Sequence, residues 1–189
     1  MKRLAVYCGS SIGADPAFAD TARTLGAEMA RRGIGLVYGG GRLGLMGVVA
    51  DAVLDGGGEA FGVIPQALID LEVAHTGLTE LHVVQTMHER KARMTDLTDA
   101  FLALPGGIGT FDELFEAWTW NALGYHAKPF ALLNVGGFWD GLTGFLDHAA
   151  ASGFMSARRR AQLLVAEDIG AALDMLDEAI KVSEKQMVW

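Results

Sequence analysis

Ala100-Phe101-Leu102-Ala103-Leu104-Pro105-Gly106-Gly107-Ile108-Gly109-Thr110-Phe111-Asp112-Glu113 is the stretch whose reading decides the fold. Its first five residues are an unbroken apolar run, as in a strand buried on both faces. Pro105 and the glycines at 106, 107 and 109 end that run, and an amphipathic segment continues to about Leu123. The order is strand, glycine loop, helix, the repeating unit of parallel α/β sheets. Glycines remove the Cβ atoms that keep a ligand from the backbone, and N–H groups at a helix start point outward with the positive end of the helix dipole. A phosphate fits there. The same loop is expected to deliver Glu113 in the first helical turn, beside that anion cradle. Thr110-Phe111-Asp112-Glu113 also matches a capping box, in which the glutamate only reaches back to the N-cap amide.

Outward from this unit the alternation repeats. Apolar runs at Leu4–Tyr7, Ile34–Tyr38, Ala60–Ile64, Leu81–Val84, Phe130–Val135 and Leu163–Ala166 read as strands. Between them, helices are predicted from about Pro16 to Arg32, Leu45 to Leu54, from near Thr86, from Phe138 to about Ser152, and from Asp168 to Glu184. Asp15 and Pro16 give the first of these an N-cap and an N1 proline. Strands alternating with helices imply an α/β fold with a doubly wound, mostly parallel sheet and helices on both faces. Residues 1–189 are expected to form one domain, since no low-complexity tract or linker divides the chain.

Two more small-residue loops follow strands, where open α/β sheets bind ligands. Cys8-Gly9-Ser10-Ser11 follows the first; Ser10 and Ser11 either bond a ligand or simply shape the turn, and Cys8 reads as a packing residue. Gly39-Gly40-Gly41-Arg42-Leu43-Gly44-Leu45-Met46-Gly47 follows the second and satisfies G-x-G-x-x-G. Glu59 stands before the third strand instead of at its end, so a dinucleotide ribose is poorly served and a mononucleotide is the better fit. Gly40 and Gly41 are candidate contacts for it. In Met87-His88-Glu89-Arg90-Lys91-Ala92-Arg93, three basic residues crowd a helix start, against the macrodipole. Such a misfit marks either function or a solvated face.

A net charge of -8 argues against nucleic acid as a partner, because backbone phosphates demand a concentrated positive surface. The short basic run Arg158-Arg159-Arg160 reads as a solvated turn or helix end. The longest apolar stretches are far short of a membrane span, the N-terminal segment lacks the length of a signal peptide, and a single cysteine fits a reducing compartment; a cytoplasmic protein is expected. Five histidines show no paired ligand spacing, so no metal is expected, and no G-x-S-x-G elbow points to a serine hydrolase.

Three motifs in this order, Gly-Gly-Gly-Arg-Leu-Gly-Leu-Met-Gly at 39–47, Met-His-Glu-Arg-Lys at 87–91 and Pro-Gly-Gly-Ile-Gly-Thr-Phe-Asp-Glu at 105–113, resemble the LONELY GUY (LOG) family of cytokinin-activating phosphoribohydrolases. The resemblance runs from Leu4 to about Phe154. It implies a Rossmann-like fold and cleavage of the N-glycosidic bond of N6-modified adenosine monophosphates or AMP, giving free base and ribose 5-phosphate, with no cofactor and a homodimeric state. It implies Arg90 and Glu113 as catalytic residues. Substrate contacts are implied at Glu72, Lys91, Gly107, Ile108, Gly109, Thr110, Phe111, Asp112 and Thr119. Phe111-Asp112 departs from the Leu-Glu of plant members but keeps the glutamate in register. The lysine decarboxylase label often given to such proteins fits poorly: the chain has only five lysines, and pyridoxal phosphate needs a Schiff-base lysine with a pyridinium partner. The other reading left open is a non-catalytic nucleotide or molybdenum-cofactor carrier, which needs the cradle but not the Arg90 and Glu113 pair.

Overall fold

The structure, a computed structural model, describes residues 1–69 and 73–186. The strands are β1 (Arg3–Tyr7), β2 (Gly35–Tyr38), β3 (Ala60–Pro65), β4 (Glu80–Val84), β5 (Ala100–Ala103), β6 (Phe130–Leu133) and β7 (Leu163–Ala166). The helices are α1 (Pro16–Arg31), α2 (Gly44–Asp55), α3 (Met87–Leu97), α4 (Ile108–Ala122), α5 (Asp140–Ala151), α6 (Ala157–Arg160) and α7 (Ile169–Gln186). All strand pairs are parallel, in the order β4-β3-β2-β1-β5-β6-β7.

Strand side chains alternate between two cores, as the pleat requires. Leu4, Val6, Leu36, Tyr38, Leu102 and Leu133 face α1, α2 and α7, meeting Leu25, Met29, Val49, Val53 and Leu173. Ala5, Tyr7, Val37, Val63, Phe101 and Leu132 face α3, α4 and α5, meeting Met94, Leu114, Trp118 and Leu146. Burial on both faces is why these strands read as continuous apolar runs. Trp118 lies in the second core, stacked on Phe115 at 6.1 Å.

The chain winds outward from β1 through β4 on one side, then returns to place β5 on the other side of β1. The crossover direction reverses there, which opens a crevice at the carboxyl ends of β1 and β5. One predicted element is corrected: the helix expected from Phe138 begins only at Asp140, after a short 3-10 turn over Val135–Gly137. Gly136 and Gly137 lie at φ 58° and 74°, a left-handed backbone that no α-helix continues through. Among the described residues no helix is long and apolar enough to cross a membrane.

Candidate active site

The crevice holds a cavity of about 340 Å³ whose walls come from the loops after β1 and β5, from the start of α4 and from α3. The β5 loop is fastened to the β1 loop: the Gly9 N–H donates to the Pro105 carbonyl at 3.1 Å, and a Cβ on Gly106 would stand 2.1 Å from Thr110 Oγ1 and 2.9 Å from the Gly9 nitrogen. Gly106 is thus a packing glycine. Gly107 and Gly109 differ, because a Cβ on either meets nothing within 4 Å and both line the cavity. Their missing side chains leave the backbone open to a ligand.

Helix α4 begins immediately after Gly107, its N-cap, with no side-chain cap. The first-turn N–H groups of Ile108, Gly109 and Thr110 therefore lack intrahelical acceptors and carry the positive end of the dipole. This overturns the capping-box reading of Thr110 to Glu113. Thr110 is already the third helical residue and is buried, and Glu113 is the sixth, in the second turn instead of the first. The glycines have been drawn into the helix start, so the apparent box is out of phase with it.

Glu113 lines the cavity, and its charge is felt by two buried neighbours. Burial, with Glu113 adding to it, pushes the Cys8 thiol far above its ordinary pKa, and the Tyr7 hydroxyl is raised by burial and then by Glu113 and Glu116. Cys8 lines the cavity as a neutral thiol, unsuited to nucleophilic attack.

Arg90 reaches the same cavity from α3 and is only 4% exposed. Its Nε donates to the Val63 carbonyl at 3.1 Å and its Nη2 to the Gly39 carbonyl at 2.9 Å, so the ends of β3 and β2 fix the guanidinium plane. A Cβ on Gly39 would fall 2.1 Å from Nη2; the first glycine of the triplet exists to admit the arginine. The helix itself starts on a side-chain cap: Thr86 Oγ1 accepts the Glu89 N–H at 3.1 Å and Glu89 Oε2 accepts the Gln85 N–H at 2.8 Å.

The other candidate site residues, from the loops and from the resemblance, are divided by the fold. Ser10, Ile108, Thr110 and Asp112 line the cavity with Gly107 and Gly109. Lys91 does not. It bridges from α3 to α4 through ion pairs with Asp112 at 3.0 Å and with Glu116; burial opposes its charge, but these carboxylates outweigh it and raise its pKa. Phe111 packs edge-on against Trp139 at 5.8 Å. Gly40 and Gly41 lie under residues 73–75, with Gly40 at φ 76°. Thr119 lies in a separate surface groove beside Phe115, Trp118 and Phe154. Glu72 lies outside the described residues. Sequence reasoning did not find Leu68 or Met87 among the cavity's walls, although Met87 opens the Met-x-x-Arg-Lys motif.

A family model described as "Possible lysine decarboxylase" matches residues 46–176. The chain is 46% identical over 188 residues to the cytokinin riboside 5'-monophosphate phosphoribohydrolase LOG of Oryza sativa subsp. japonica, covering 100% of this chain and 78% of that protein. The chain belongs to the LOG family. A further relative, the cytokinin riboside 5'-monophosphate phosphoribohydrolase of Rhodococcoides fascians, is 47% identical over 173 residues, covering 91% of this chain and 87% of its own length. Among solved structures, the molybdenum cofactor carrier protein of Chlamydomonas reinhardtii superposes with a TM-score of 0.72 at 20% identity, covering 95% of this chain and 98% of that one. That likeness shows the Rossmann-like fold alone, which LOG proteins and the carrier share.

Proposed function

We propose that the protein hydrolyses the N-glycosidic bond of adenosine 5'-monophosphates, N6-modified or plain, releasing free base and ribose 5-phosphate. One observation carries this reading: Glu113, Arg90 and an uncapped, glycine-lined helix start converge on a single cavity. The 5'-phosphate rests on the N–H groups at 107–110, where the helix dipole favours an anion. That anchor sets ribose C1' beside the acid. As the C1'–N9 bond lengthens, its electron pair leaves with the purine and positive charge grows on the ribose ring. Glu113 stabilises that charge and takes a proton from the water whose oxygen bonds to C1'; a proton then reaches the departed purine nitrogen through solvent, which completes the free base, and Glu113 returns to its carboxylate. Arg90, rigidly held by two carbonyls, fixes the carboxylate or the substrate through its planar fork. The names of the rice and Rhodococcoides relatives support this chemistry.

A decarboxylase reading has less support, because among the described residues no lysine lines the cavity. The protein is proposed to act as one domain and as a cytoplasmic homodimer. Leu123, Tyr125, Phe145 and Phe154 are exposed apolar residues available to a second copy. Thr119 lies in a separate groove on the same helix, about 9 Å along α4 from Glu113 at 1.5 Å per residue.

The test is chromatographic: AMP and isopentenyladenosine monophosphate are incubated with the protein and free base is measured. Release of adenine or the modified base supports the hydrolase, and their ratio assigns the preferred substrate. Nucleotide binding with no base released from either compound overturns it in favour of a carrier.

A further inference from the structure

Residues 73–75 cross the second glycine loop as a short strap. The Arg42 N–H donates to the Val73 carbonyl at 2.9 Å and the His75 N–H to the Gly40 carbonyl at 2.9 Å, forming an antiparallel bridge between Gly41 and Ala74. Val73 sits at φ 48°, the single non-glycine residue with positive φ among the described residues. A β-branched side chain is strained there, and such strain persists only where the surroundings over-determine it. The strap is anchored by His75, which is 6% exposed and has Nε2 2.9 Å from Asp51 Oδ1 on α2. Neither side chain lines the cavity, and neither has a part in the chemistry above.

The strapped loop is the one that holds Arg90. Gly39 supplies the carbonyl that receives Nη2, and Gly40 packs close to β3, where a Cβ would lie 3.3 Å from the Val63 nitrogen; Val63 in turn supplies the carbonyl that receives Nε. A displacement of 39–42 therefore moves one arginine acceptor and bears on the strand that carries the other. We propose that His75, held by Asp51, is a positioning residue for Arg90: the pair clamps the glycine loop between the strap and α2 and so fixes the guanidinium at the cavity. This rests on the hydrolase reading given above. The cradle at the start of α4 is built from a different loop, joined to this one at the end away from the clamp, where the Leu45 N–H donates to the Gly9 carbonyl and the Gly9 N–H to the Pro105 carbonyl.

The experiment compares His75→Ala, Asp51→Ala and Asp51→Asn with wild type, using base release from whichever nucleotide the wild type cleaves, well below the unfolding temperature of each variant. Both alanine variants should lose about ten- to a hundredfold in kcat, the scale of a small misplacement in a reacting constellation. Binding of ribose 5-phosphate, measured by calorimetry, should stay within about twofold of wild type because the phosphate cradle is untouched. Asp51→Asn keeps an oxygen to accept from Nε2–H and should recover most of the rate. If kcat is unchanged in both alanine variants and only thermal stability falls, the pair is structural and the proposal is overturned. Equal loss in kcat and ribose 5-phosphate binding overturns it too. Asp51 is largely exposed on α2, so its variants carry the comparison if His75→Ala fails to fold. A wild type that releases no base defeats the hydrolase reading itself, an outcome distinct from active but unaffected variants.

Discussion

Helices α3 and α4 both begin at the rim of the same cavity, and their N-termini are finished in opposite ways. Thr86 and Glu89 cap α3 from within the chain, consuming backbone donors before Arg90 emerges in the next turn. Gly107 starts α4 with no side-chain cap, so its first-turn amides stay available to a ligand. A helix that must present a side chain is closed with side chains, whereas one that must present its backbone is stripped of them. Lys91 ties the two together through Asp112 and Glu116, holding Arg90 and Glu113 in one frame.

The sharpest way to break this contrast is Glu113→Gln, which keeps the shape of the α4 side chain and removes its charge. Base release should fall by about a thousandfold or more, within the range lost when a key electrostatic or acid–base group is removed. Calorimetry should find ribose 5-phosphate binding nearly unchanged; retained turnover would refute the role given to the acid.

On the α3 side, Gly39→Ala places a methyl 2.1 Å from the present position of Nη2, too close for both to stay. A rate loss of about a hundredfold is expected from the displaced guanidinium, with circular dichroism unaltered. Wild-type turnover in this variant would mean that Arg90 needs no fixed seat.

Gly109→Ala separates binding from stability on α4. Its Cβ meets nothing in the protein, and alanine is the better helix former by up to about 1 kcal/mol. Urea unfolding should show an equal or more stable protein, while KM rises about tenfold because the methyl enters the space proposed for phosphate. Unchanged KM would move the anion elsewhere.

The smallest effect is reserved for the capped helix. Thr86→Ala should cost about 1 kcal/mol of stability and change kcat/KM by less than about threefold, since the cap holds α3 and touches no substrate. A larger kinetic loss than that would show that the two helix starts are not separable in the way their caps suggest.

Much of this arrangement was legible in the sequence. Strands such as Ala100–Ala103 and Phe130–Leu133 announced themselves because burial on both faces leaves no polar position to interrupt them. The phase of α4 was not legible: S/T-x-x-E is a local pattern, and whether glycines sit before or inside a helix depends on what the loop packs against, here Gly9 and Thr110. The α3 start, Thr86-x-x-Glu89, has the same spelling and is a real cap: Thr86 accepts the Glu89 N–H, while Glu89 reaches one residue beyond the cap to the Gln85 N–H. Lys91 beside Arg90 looked like a second substrate cation, yet its neighbours in space are two α4 carboxylates separated from it by more than a strand. Thr119 shares α4 with Glu113 but lines another groove, because successive turns of one helix face different surroundings.

Residue types and their order along the chain determined the strands, the doubly wound class, the glycine loops and the candidacy of Arg90 and Glu113, since these follow from local periodicity and from chemistry carried by single side chains. Only the tertiary structure decided which glycines face the cavity and which are packed, where α4 starts, and that carbonyls of Gly39 and Val63 seat Arg90. Those outcomes depend on contacts between strands adjacent in space and distant in sequence, at the point where the sheet reverses its winding.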